Sequence, residues 1–136
     1  MKKIIWVLKI FLLIVFIFAI TNWNNITFKH IDKNQIINME LKILQLFSTD
    51  HDINIYITTN NQNSVSSIME IEDFIRRNDN ICILQRTQHW KIIINYNLNT
   101  GKSIQRVYEG QNFRAKLCED LLTIKEVSDE LKNSAE

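Results

Sequence analysis

The sequence predicts an α+β protein: an N-terminal transmembrane helix, then a small domain with a mainly antiparallel sheet and helices packed mostly on one face. Three observations carry that expectation. Ile4 to Ile20 is an apolar run broken only by Lys9. Residues 53–58 and 90–108 include stretches that alternate apolar and polar side chains with the period of two of a half-buried strand. Stretches opening near Asp32, Ser64 and Asn112 instead place apolar residues at helical spacing. The expected order is an anchor over residues 1–23, then one soluble domain over 24–136 with the elements α-β-α-β-β-β-α.

A helix that crosses the hydrocarbon core needs about 20 mostly apolar residues at a rise of about 1.5 Å each. Ile4–Ile20 falls just short, and Thr21, Asn22 and Trp23 extend it into the headgroup region. Trp6 and Trp23 stand near the two ends, where amphipathic rings are favoured. Lys9 lies early enough to snorkel toward the N-terminal interface. Lys2, Lys3 and Lys9 outweigh Lys29 and Lys33 beyond the run, so the bias places the N-terminus in the cytoplasm and the domain outside. That is the periplasm in a Gram-negative cell.

A cleaved signal peptide is the competing reading, with Ala19 and Thr21 as its small pair, and it would yield a secreted soluble domain. Thr suits such a cut poorly, so an uncleaved signal-anchor is expected. A buried core helix is disfavoured, because a helix apolar all round needs more core than a domain of this size can wrap around it. Phe18, Ala19, Asn22, Ile26 and Thr27 together resemble the membrane-exit segment of small LapA-type membrane proteins. Those proteins continue into a second apolar helix that this sequence lacks, and no function is carried across.

The chain has sixteen Lys and Arg against fifteen Asp and Glu. Without Lys2, Lys3 and Lys9, thirteen bases face fifteen acids, a net charge of −2. Such a balance gives no reason to expect nucleic acid as a partner. There is no proline, and Gly101 and Gly110 are the two glycines, so there is neither a Gly/Pro-rich linker nor a glycine-rich phosphate loop. The two cysteines, Cys82 and Cys118, are a candidate disulfide if the domain is exported, and buried thiols otherwise.

Along the domain, Asp32 and Gln35 read as a capping box for a helix carrying Ile36, Met39, Ile43, Leu44 and Phe47. Ile53, Ile55 and Ile57 then mark a strand. A second helix opens at Ser64–Ser67, with Ser67 and Glu70 as a capping box, an inner stripe of Val65, Ile68, Ile71 and Ile75, and Arg76 and Arg77 at its C-terminal end. Ile81–Leu84 reads as a central strand, so that Ile53–Leu84 forms a candidate β-α-β crossover. A turn follows at Arg86–Gln88. A long strand puts Trp90, Ile92, Ile94 and Tyr96 on one face. Asn97–Gly101 is a hairpin signal, because glycine takes the left-handed conformation of a bulged turn. Ile104–Tyr108 returns, Gly110 closes it, and a last helix aligns Phe113, Leu117, Leu121, Ile124, Val127 and Leu131.

Little in this pattern points to chemistry. His30, His51 and His89 lack metalloprotease spacing, and Asp50-His51-Asp52 reads as a solvated turn rather than a metal site. Glu70, Glu72 and Asp73 read as a solvated helix face, and Ser64, Ser66 and Ser67 as helix-start residues. Cys118 with His89 has no nucleophile motif around it. Trp90, Tyr96 and Tyr108 read as core rather than as an aromatic binding face. No catalytic, cofactor-binding or metal-binding residue is nominated, and no enzyme is expected. The expected role is protein–protein interaction at the cell envelope, as an assembly component or an immunity-type protein, with the lipid bilayer as a second partner through Ile4–Ile20. The alternative is a membrane-tethered ligand-sensing or enzymatic domain. A binder should expose an apolar patch, whereas a sensor or enzyme should show a concave pocket of convergent polar groups.

Overall fold

The computed structural model describes residues 1–21, 30–47, 53–78 and 90–135. The chain divides into two compact units, Met1–His30 and Ile31–Glu136. Helix α1, Lys2–Thr21, occupies most of the first unit. Among the described residues it alone is long and apolar enough to cross a membrane, and none of that stretch is buried. A signal sequence near the N-terminus meets the same description.

Among the described residues, the second unit has four strands, β1 (Ile36–Leu44), β2 (Ile55–Thr59), β3 (Trp90–Leu98) and β4 (Ser103–Gly110). They form one sheet in the order β2-β1-β3-β4, with each neighbouring pair antiparallel. The described residues add three α-helices: α2 (Gln62–Asn78), α3 (Arg114–Leu122) and α4 (Lys125–Ser134). The class is therefore α+β, but the order among the described domain residues is β-β-α-β-β-α-α rather than the expected one.

The largest departure is at β1, where a helix is expected. Asp32 does cap, accepting the Asn34 N–H at 3.0 Å, yet it caps only a 3₁₀ turn at Lys33–Gln35. The chain then extends and becomes an inner strand. The pairing with β3 shifts register between Ile36 and Asn38, leaving the exposed Ile37 as an extra residue. That bulge lets Ile36 and Met39, three apart, both face the core, and Leu41 and Ile43 follow by ordinary alternation. A bulged strand thus imitates the spacing of a helix.

The remaining elements follow their local chemistry more closely. Helix α2 opens earlier than Ser64, because the Asn61 side chain accepts the Asn63 N–H at 2.9 Å. Ser67 and Glu70 lie inside the helix and form no capping box there. Val65, Ile68, Ile71 and Ile75 are buried as expected, with Arg76 and Arg77 in the last turn. The β3–β4 hairpin turns at Gly101, whose φ of 79° is left-handed and whose N–H reaches the Leu98 carbonyl at 3.0 Å. The final helix is two helices. Thr123 Oγ donates to the Asp120 carbonyl at 2.6 Å, and Ile124 is extended at φ −83°, ψ 118°. Leu117, Leu121, Ile124 and Val127 stay buried across the break, whereas Phe113 is half-exposed at φ 61°.

One face of the sheet supplies Met39, Leu41, Ile43, Ile55, Ile57, Trp90, Ile92, Ile94 and Tyr96 to the core. The helices contribute their stripes to the same cluster, so they cover that face. The expected strand Ile81–Leu84, the crossover that ends in it and the turn at Arg86–Gln88 lie outside the described residues.

Candidate functional site

On the covered face, Glu72 of α2 is 2 % exposed, which corrects its reading as part of a solvated helix face. Its carboxylate accepts hydrogen bonds from the Tyr96 hydroxyl, from the Tyr108 hydroxyl at 2.7 Å, and from Arg106 Nη1 at 3.1 Å to each oxygen. The Arg106 guanidinium also stands 5.4 Å from the Tyr96 ring centre. Burial first, then the Glu72 charge and the bond it accepts, push both phenols above their ordinary value, while Arg106 pulls the other way. A carboxylate enclosed by three donors and closed to solvent fastens α2 to β3 and β4.

A second fastening joins α4 to the edge of the sheet. Glu126 accepts from the Thr59 hydroxyl at 2.6 Å and the Ser64 hydroxyl at 2.8 Å. Burial pushes this carboxyl up, but the hydrogen bonds from Thr59 and Ser64 outweigh it and hold the group below its ordinary value. Ser64 is therefore a donor to α4, and its buried hydroxyl does not cap its own helix.

The opposite face of the sheet is where side chains meet solvent. Antiparallel pairing places directly opposed residues on the same side, so register assembles this face in rows across the strands. One row runs Tyr56, Lys42, Ile93, Val107. Tyr56 and Val107 are 53 % and 45 % exposed, and the Lys42 ammonium lies 5.8 Å from the Tyr56 ring centre. The next row runs Thr58, Glu40, Asn95, Gln105 and is laced by side chains: Asn95 donates to Glu40 at 3.2 Å and Gln105 to Asn95 at 2.9 Å. Beyond it, Asn97 donates to Asn38 at 2.6 Å and Ser103 to Asn97 at 2.5 Å. On the other side, Lys91 pairs with Glu109 at 2.8 Å. The face is a row of one aromatic, one cationic and two aliphatic side chains, bordered by amide ladders on one side and an ion pair on the other. The chain matches no protein-family model, no curated protein and no solved structure.

Elsewhere the surface holds an open depression of about 310 Å³ between α2 and α3, lined by Ser67, Glu70, Ile71, Phe74, Lys116, Asp120 and Thr123. Its charges are partly spent on each other, since Lys116 pairs with Asp120 at 2.9 Å and rests 5.0 Å from the Phe74 ring centre. Cys118 is a free, partly buried thiol that reaches the Leu46 carbonyl at 3.5 Å, and burial pushes its pKa up. Its proposed partner Cys82 lies outside the described residues, as do His89 and the Asp50-His51-Asp52 cluster. His30 is exposed. Trp90 and Tyr96 are core, the Trp90 indole donating to the Asn112 carbonyl at 3.1 Å, and Tyr108 is half-buried.

Sequence reasoning missed the outward face because the row that defines it crosses all four strands. Lys42, Ile93 and Val107 become neighbours only once β1 is a strand and its register is fixed. The alternation within β3 and β4 was the available signal.

Proposed function

We propose that this chain is a single-pass membrane-anchored protein with its N-terminus in the cytoplasm. It holds the α+β domain outside and uses the open sheet face to bind a protein partner at the cell envelope. The role is non-enzymatic, as an assembly component of an envelope machine or an immunity-type protein. The observation that carries this reading is the transverse row Tyr56–Lys42–Ile93–Val107, which sets an aromatic and two aliphatic side chains on a solvent-facing sheet. Aromatic anchors within a polar surround are the usual make-up of a protein interface. The amide ladders on one side and the Lys91–Glu109 pair on the other hold their groups in fixed positions, so a partner would meet a preorganised surface.

The test is site-specific photocrosslinking in cells. A photoreactive phenylalanine analogue at position 56 or 107 is expected to give a discrete adduct, and the same analogue at Lys132, exposed on α4, is expected to give none. Adducts from position 132 alone, or from none of the three, would overturn the assignment. A second reading, a tethered ligand-sensing domain, is favoured by the depression beside Phe74. It predicts crosslinks unaffected by the choice of sheet position, and a thermal shift on adding a small ligand.

A further inference from the structure

The first turns of α1 carry more than a span requires. Lys2, Trp6 and Lys9 are spaced four and three residues apart, so they share one side of the helix. Leu13, Phe16 and Ile20 continue the same side at the same spacing. Trp6, Leu13 and Phe16 are 69 %, 58 % and 63 % exposed, and both lysines are exposed as well. Lys3 lies about 100° round the helix from Lys2 and, three residues before Trp6, about 60° from it, so it borders the stripe rather than lying in it. No acidic residue occurs before Asp32, so no carboxylate of this helix neutralises the stripe.

Depth then separates the stripe into two parts. Lys9 sits about 7–8 Å beyond Ile4 along the axis at the rise of an α-helix. Helical side chains lean toward the N-terminus, and the four-carbon stem of lysine is long enough to carry its ammonium back to the interface. The two ammonium groups therefore converge at headgroup level beside the Trp6 indole, whose N–H is a donor at that same depth. Below them the stripe is purely apolar.

We propose that Lys2, Trp6 and Lys9 form a binding site for the phosphate headgroup of an anionic phospholipid, whose acyl chain lies along Leu13, Phe16 and Ile20. This rests on the reading of α1 as a membrane anchor and adds to it a preference among lipids. Two converging cations and no anion discriminate against zwitterionic lipid, whose own ammonium is repelled. An anionic leaflet is what they match.

The experiment uses the full chain reconstituted in phosphatidylcholine vesicles with trace spin-labelled phosphatidylglycerol or phosphatidylcholine. Electron spin resonance reads the fraction of each label immobilised against protein. Phosphatidylglycerol is expected to be preferred by about five-fold or more, the worth of one lysine at an anionic surface. The preference should fall to near unity in K2Q/K9Q, fall much less in K3Q, and weaken with added salt. Equal association of the two labels would overturn the site, as would an equal loss in K3Q and K2Q/K9Q. If the lysines instead serve a carboxylate on another membrane helix, vesicles holding this chain alone will show no lipid preference, which also overturns it. Flotation with pure phosphatidylcholine vesicles separates the two readings. Protein that floats but shows no preference sinks only the lipid site, whereas protein that does not float sinks the anchor and the site with it.

Discussion

Glu72 shows how far one side chain governs this domain. Its carboxylate is buried and the Arg106 guanidinium partly buried, at 3 % and 12 % side-chain exposure, and the two form an ion pair. Removing Glu72 breaks that pair and takes the acceptor from the Tyr96 and Tyr108 hydroxyls in a poor dielectric. Glu72→Ala is expected to cost about 3–5 kcal/mol on that ground, read as a fall in the urea midpoint. The same cluster sets a dependence on alkali. Tyr96 and Tyr108 are both raised above the ordinary phenol value of 10.0. The folded state therefore keeps protons that the unfolded chain releases. Their contribution is whole below about pH 10 and is lost as pH climbs toward the folded values. Urea midpoints taken from pH 9 upward should fall with pH, and Tyr108→Phe should flatten part of that fall. A variant with an unchanged slope would show that Tyr108 has no share in it.

Gly101 and β1 mark the two extremes of what local sequence conveys at the level of elements. Gly101 has open space where a side chain would go, with nothing within 4 Å of a β-carbon, so its φ of 79° alone decides the cost of replacement. Gly101→Ala should destabilise the domain by about 1–2 kcal/mol through backbone strain, measured by equilibrium unfolding. A neutral result would mean that the turn relaxes to another type. That hairpin, the α2 stripe and the inward face of β3 were legible because each is decided by a short window. The β1 strand was not, because its bulge places Ile36 and Met39 at a spacing shared with helices, and only the flanking partners β2 and β3 break the tie. The break at Thr123 was hidden for a related reason. Leu117, Leu121, Ile124 and Val127 keep one buried line through it, and neither glycine nor proline announces the stop. Glu72 was unreadable in kind, since its three donors come from β3 and β4, more than twenty residues away. The outward row was equally hidden, being a product of register.

For the whole molecule, the charge bias around α1 predicts which compartment the domain occupies. A reporter active only in the cytoplasm, fused after Glu136, should stay silent in cells, and one active only outside should give signal. The reverse pattern would overturn the topology. The sheet order has a further consequence in time. β1 ends at Leu44 and its central partner β3 begins at Trp90, while a chain is made at about 5–20 residues per second. For some seconds of synthesis, then, the nascent chain carries β1 with one side bare, since β2 can pair only with the other. A bare apolar edge is a template for foreign strands. Until β3 is delivered, that edge is a point at which the nascent chain is open to pairing with a foreign strand.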